Sequence, residues 1–214
     1  QVVGAHPIPV PLRTDQRVDL PAITDKITDK TRLIFVCNPN NPSGTTVTKD
    51  EFAAFMDAVP ADVLVALDEA YIEYNRATDT PLGTELVGTY PNLVCLRTFS
   101  KAYGLAGVRI GYAFGPESII EALNKVAIPF SASTVAQVGA RTALAAQDSL
   151  RERTDEVVGQ RERLEEALQE WGVPHSEANH VWLPAKNLAS LGTPQEVAAR
   201  LAERGVLVRA FSEG

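Results

Sequence analysis

Lys101 sits in the stretch Thr98-Phe99-Ser100-Lys101-Ala102-Tyr103-Gly104-Leu105-Ala106-Gly107-Val108-Arg109, just past the apolar run Leu93-Val94-Cys95-Leu96. Hydroxyls flank the lysine at Thr98 and Ser100, small residues follow, and Arg109 comes eight positions later. A lone loop lysine is ordinarily a solvated charge. Beside hydroxyls and a guanidinium, where a buried strand ends, it meets the needs of a site that holds a phosphorylated aldehyde as a Schiff base. The amine bonds the carbonyl, and the hydroxyls and arginine take the phosphate.

Two more apolar runs deliver polar residues in the same way. Leu33-Ile34-Phe35-Val36-Cys37 leads into Asn38-Pro39-Asn40-Asn41-Pro42-Ser43-Gly44, and Val63-Leu64-Val65-Ala66-Leu67 delivers Asp68-Glu69-Ala70-Tyr71. Asp68 reads either as a turn or cap residue or as a buried carboxylate in need of a cation, which a protonated pyridine nitrogen would supply. Tyr71 and Asn41 read as rim packing and tight turns, or as hydrogen-bond partners of a phenolate oxygen on that ring. Gly44 suits a backbone conformation that other residues resist. Arg109, within an apolar segment, is a surface-facing strand residue or a phosphate ligand.

The elements that must position these residues follow from periodicity. The three apolar runs are short and bounded by turn residues, as in strands buried on both faces. Val108 to Phe114 reads as a fourth strand. Residues 1–12, with Pro7, Pro9 and Pro11, read as an edge strand or an extended connection. Asp19 can cap a short helix from Pro21 to about Thr28. Thr48 and Glu51 form a capping box ahead of Phe52, Phe55, Met56 and Val59, with Pro60 as the stop. Helices are expected over Glu117 to Val126 and over Thr134 to Gln147, the second buried on more than one side. From Ser149 to Glu170 a charged helix places Leu150, Val157, Leu164 and Trp171 seven apart, a stripe that Thr154 and Arg161 interrupt as a coiled-coil seam. Val181-Trp182-Leu183 and Val206-Leu207-Val208 read as short strands, and Thr193-Pro194-Gln195-Glu196 as a helix start. The fold expected is α/β: a mostly parallel sheet with helices on both faces over 1–147, and part of a smaller α+β unit over 148–214. In such a sheet ligands bind outside the carboxyl ends of the strands, where Asn41, Asp68, Tyr71, Thr98 and Lys101 converge.

Composition bounds the partners. An apolar fraction of 45% suits a globular core, and a net charge of -7 with no basic block argues against nucleic acid. No apolar run approaches a membrane span and no signal peptide is visible, so a cytoplasmic location is expected. Cys37 and Cys95 read as buried free thiols of a reducing compartment. His6, His175 and His180 do not fall at metal-ligand spacing, so no metal is expected. The chain of 214 residues opens at Gln1-Val2-Val3 without a methionine and stops at Phe211-Ser212-Glu213-Gly214, as a fragment of a longer protein would.

The three motifs, in this order and spacing, resemble the fold-type I pyridoxal-phosphate aminotransferases of class I/II. They lie nearest the histidinol-phosphate aminotransferase group and, within it, the actinobacterial aromatic (phenylalanine) aminotransferases. The resemblance implies pyridoxal 5'-phosphate as cofactor and Lys101 as the lysine that bonds it and moves the substrate proton. It implies Asp68 on the pyridine nitrogen, Asn41 and Tyr71 on the ring 3-oxygen, and Thr98, Ser100 and Arg109 on the phosphate. A cis Asn41-Pro42 bond and a homodimer are implied as well. The reaction implied is transamination of an aromatic L-amino acid with 2-oxoglutarate, giving the oxo acid and L-glutamate. Phe130, in Ile128-Pro129-Phe130-Ser131, stands where histidinol-phosphate enzymes of the group tend to carry tyrosine, which favours an aromatic donor, with a plain core position as the competing reading. Histidinol phosphate remains the alternative. Asn179 and Arg209 resemble substrate-facing residues of the group, with a turn role and a solvated charge as the competing readings. The family's carboxylate-binding arginine and its amino-terminal portion fall outside this sequence. A fragment without turnover, or a cofactor-binding module, is therefore the second expectation.

Overall fold

The computed structural model describes residues 4–214. Gln1, Val2 and Val3, where the first extended segment was expected to begin, lie outside the described residues, and residues 5–13 are in neither helix nor strand. Four strands form one sheet in the order β1 (Leu33–Cys37), β2 (Leu64–Asp68), β3 (Leu93–Thr98), β4 (Gly111–Phe114). The first three are parallel and β4 runs antiparallel to β3. Parallel pairing needs a long crossover, and α2 (Lys49–Ala58) supplies it between β1 and β2. Between β3 and β4 there is only a 3₁₀ turn at Ala106–Val108, so the chain folds straight back.

Strand alternation gives the sheet two unlike faces. Ile34 and Val36, Val65 and Leu67, Leu93 and Cys95 stand in register on one face. They pack with Phe52, Phe55 and Met56 of α2 and with Leu20 of α1 (Leu20–Thr24). Each such large side chain, fully withdrawn from water, contributes about 1.5–3 kcal/mol. Contrary to expectation, β1 is not buried on both faces: Leu33 and Phe35 are 46% and 60% exposed, because β1 is an edge strand and no described residue covers them.

The helix starts behave as their caps require. Asp19 accepts the Ala22 N–H at 3.0 Å, although α1 ends at Thr24 rather than near Thr28. Thr48 and Glu51 close both halves of the capping box on α2, and Thr193 and Glu196 do the same on α7 (Pro194–Glu203). A single turn, α3 (Gly83–Leu86), precedes β3. α4 (Glu117–Val126) has the expected bounds and borders a groove of about 460 Å³ lined by Leu64, Asn92, Ile119 and Leu123.

Four expectations are corrected. α5 (Thr134–Ala145) buries only Ala136 and Ala140, while Val135 and Val138 are 74% and 57% exposed, so it packs on one side. α6 (Gln147–Ala167) buries Leu150, Thr154, Val158 and Arg161, and Leu164 is exposed. A straight helix at 3.6 residues per turn drifts off a seven-residue repeat, so the two residues read as interruptions are the ones buried. Val181–Leu183 and Val206–Val208 are not strands, because neither run finds a ladder partner among the described residues. Arg109 lies before β4, not within it: it adopts a left-handed backbone (φ 55°) at the end of the 3₁₀ turn.

A second core joins Tyr71, Tyr74, Phe99, Ala102 and Tyr103 to Ala140 of α5, Leu150 of α6 and Ala178. It crosses residue 147 and lies against the segments that carry the chemistry. No helix of the described residues is long and apolar enough to cross a membrane.

Candidate active site

The carboxyl ends of β1, β2 and β3 open onto one edge. Asp68 ends β2 opposite Leu96, and Thr98 ends β3 two residues on, so alternation puts both on the face away from the main core. After β1 the chain turns through Asn38–Gly44 with cis bonds at both Asn38-Pro39 and Asn41-Pro42. The loop is tied inside: Asn38 Oδ1 accepts the Val47 N–H, its Nδ2 donates to Thr80, and Asn40 donates to Ser43. Gly44 takes φ +73°, and a Cβ there would run into Ser176. The loop thereby presents Asn41, whose Nδ2 donates to the Tyr71 hydroxyl at 2.6 Å.

Tyr71 is buried, and the Lys101 Nζ stands 5.2 Å from its ring centroid, inside cation–π range. Lys101 itself is exposed on the open side. Asp68 accepts the Ala70 N–H at 3.0 Å. Burial pushes its carboxyl above the ordinary 3.8, against the pull of that N–H and of the Lys101 charge. Such a desolvated carboxylate, without a close ion-pair partner among the described residues, favours a further cation beside it. Thr98 Oγ1 accepts the Ser100 N–H at 3.0 Å, which folds the two hydroxyl residues back on each other. Arg109 is exposed and donates one Nη1 bond to the Ala106 carbonyl at 2.9 Å, leaving the other donors of its fork open among the described residues. A site with an amine, a desolvated carboxylate, a phenol–amide pair, and hydroxyls and a guanidinium with free donors has the groups that pyridoxal phosphate requires.

No contact joins the sequence-based substrate residues to this cluster among the described residues. Phe130 is fully exposed (100%), Arg209 stacks over Phe211 at 5.2 Å, and the exposed Asn179 reaches the phenol of Tyr74, not Tyr71.

The model of the aminotransferase class I and II family matches residues 1–213. The chain belongs to this family. The aromatic amino acid aminotransferase of Corynebacterium efficiens is 58% identical to it over 100% of this chain and 60% of the relative. That of Corynebacterium glutamicum (strain R) is 54% identical over 100% and 60%. The chain thus spans about 60% of the length of the curated relatives it matches. Among solved structures, histidinol-phosphate aminotransferase from Sinorhizobium meliloti in complex with pyridoxal-5'-phosphate superposes with a TM-score of 0.83 at 32% identity, over 94% of this chain and 55% of that one. Aspartate aminotransferase from Thermus thermophilus gives 0.75 at 25% identity, over 91% and 52%.

Three features around this candidate site escape a sequence reading. His180, one residue past Asn179, meets Tyr71 edge-on with ring centroids 5.1 Å apart. Glu69, fully buried, accepts from Arg97 Nε at 2.8 Å and from the Gly83 N–H at 2.7 Å. Glu73 Oε2 is buried without a hydrogen-bond partner among the described residues. Motif order points to Asp68 and Lys101. Only packing reveals the pairs His180–Tyr71 and Glu69–Arg97 around them.

Proposed function

We propose that this chain binds pyridoxal phosphate at Lys101 and carries the cofactor half of an aromatic amino acid aminotransferase. The observation that carries the reading is the convergence of three chain segments: Lys101 over the Tyr71 ring, Tyr71 bonded to Asn41, and Asp68 within the field of Lys101. Asp68 would face the pyridine nitrogen and hold it protonated. Asn41 and Tyr71 would hold the ring oxygen. Thr98, Ser100 and Arg109 would hold the phosphate, with Arg109 as a bidentate donor. When bound, the cofactor supplies an electron sink for the pair left behind as a substrate α-proton departs. Lys101 would anchor the cofactor at rest and, once displaced by a substrate amine, carry that proton as general base and then general acid.

The names of the relatives at 54–58% identity support an aromatic amino acid as donor; 2-oxoglutarate as acceptor rests on the resemblance of the motifs alone. Histidinol phosphate is the second reading, favoured by the name of the solved neighbour. Residues 1–147 would form the cofactor-binding part and 148–214 the beginning of a smaller one. We place the intact protein in the cytoplasm as a homodimer. The free thiols of Cys37 and Cys95 suit that reducing compartment.

The test is direct. The protein mixed with pyridoxal phosphate and reduced with borohydride should carry a pyridoxyl adduct on Lys101 by peptide mass spectrometry, and Lys101→Ala should carry none. An adduct elsewhere, or an undiminished one in Lys101→Ala, removes the assignment. Rates on phenylalanine and histidinol phosphate then choose the donor, and binding without turnover on either identifies a cofactor-binding module.

A further inference from the structure

His180 meets Tyr71 and lies beside the loop that carries Asn41. Its ring meets the Tyr71 ring edge-on, 5.1 Å between centroids at an interplanar angle of 77°. Edge-to-face contact is a favoured aromatic geometry. The main-chain carbonyls of Asn40 and Pro42, on either side of Asn41, lie close enough to favour the charged imidazole. Burial and the Lys101 charge oppose them, and the balance holds His180 below its ordinary 6.5. The ring is therefore a neutral wedge between the phenol and the loop that presents Asn41.

The wedge is itself held from behind. The Glu177 N–H donates to the Gly44 carbonyl at 2.7 Å, and Glu177 Oε2 accepts the Arg76 N–H at 2.7 Å. Arg161 of α6 donates to the Ala178 carbonyl at 3.1 Å. These bonds fix residues 176–178 across the Asn-Pro loop and leave His180 little freedom. His180 Nε2 is buried with no hydrogen-bond partner among the described residues. Nε2 therefore adds no hydrogen bond to the pair, and the contact His180 makes with Tyr71 is through the ring edge.

We infer that His180 is a positioning residue: its ring edge holds Tyr71 in the orientation that receives Asn41, and so sets how strongly this pair acts on the cofactor's ring oxygen. The inference rests on the reading of Asn41 and Tyr71 as cofactor contacts. Two donors on an oxygen favour its more anionic form. Loosening Tyr71 therefore raises the pH at which the bound cofactor loses its proton.

The experiment is a pH titration of the visible absorption band of the protein loaded with pyridoxal phosphate, for wild type, His180→Ala, His180→Leu and His180→Phe. Leucine fills the volume without an aromatic edge and keeps the test open if alanine fails to fold. In the Ala and Leu variants the midpoint should move up by about half a pH unit or more, with cofactor affinity reduced several-fold. In His180→Phe, which restores the ring edge, it should return to within about 0.2 unit of wild type. An unmoved midpoint in His180→Leu overturns the inference while leaving the cofactor site standing. A midpoint that phenylalanine does not restore overturns it too, because the nitrogens would then carry the effect. A wild-type protein with no band at all removes the cofactor reading and this inference with it.

Discussion

Glu73 is the residue whose surroundings demand most of it. It follows Tyr71 by two positions, and its Oε2 is buried without a hydrogen-bond partner among the described residues. Burial pushes the carboxyl up to about 7, with Glu69 adding to the rise and its own N–H and Arg97 opposing it. The consequence for stability has a definite sign. Between the ordinary 4.5 and about 7 the native state keeps a proton that the unfolded chain has released, so stability falls as pH rises through that window. Glu73→Gln removes the titration and keeps the shape. In urea unfolding, the variant should gain on wild type between pH 5 and pH 8, by up to roughly 3 kcal/mol. A difference that stays flat over that range would mean that the carboxylate finds its cation after all.

At the scale of elements, the site depends on alternation along two strands. Glu69 lies next to Asp68 at the end of β2, and Arg97 next to Thr98 in β3. Asp68 and Thr98 fall on the face of the candidate site, away from the main core. Of their neighbours, the fully buried Glu69 is joined to Arg97 at 2.8 Å. Gly83 belongs to the same knot: its N–H donates to Glu69, and a Cβ there would strike Cys95 Sγ and Glu69 Oε2. Arg97→Met leaves a buried charge uncompensated and should cost about 3–5 kcal/mol by chemical denaturation. Glu69→Gln with Arg97→Met should cost clearly less than the sum of the two single changes, and additivity would show that the two do not act as a pair. The same strands show what the sequence makes legible. Apolar runs ending in Asn41, Asp68 and Lys101 place a site at the sheet edge because strand ends and turn chemistry are local. Glu69–Arg97 and His180–Tyr71 join residues 28 and 109 positions apart, and no local pattern encodes such pairs. The exposed face of β1 and the run Val206–Val208 were misread for a related reason. Apolarity records that a face is suited to burial, not which segment covers it.

Across the whole molecule, α6 is bound to the site loop through one charged network. Arg161, almost wholly buried, lies 3.8 Å from Glu165 and 3.7 Å from Glu177. His175 bridges the same two carboxylates, Nδ1 to Glu165 at 2.8 Å and Nε2 to Glu177 at 3.1 Å. Arg76 pairs with Asp155 of α6 at 2.6 Å and gives its N–H to Glu177. Ser176 N–H also donates to Glu165, so the segment leading to His180 is fastened to α6 at each step. The two carboxylates raise His175 above its ordinary 6.5, against the effect of burial. The stabilisation from its charged form is therefore complete below 6.5 and is lost as pH rises through the raised native value. The imidazole is well exposed, so solvent screening keeps the contribution small. Wild type should melt above His175→Gln at pH 6, and the gap should close by pH 9. Hydrogen exchange should show where the loss falls. The amides of Ser176, Glu177 and Ala178 should lose protection with rising pH in wild type, while those of β2, in the main core, should not. A gap in melting temperature that persists unchanged to pH 9 would mean that His175 fastens the segment by shape alone, and that the two arginines carry its electrostatics.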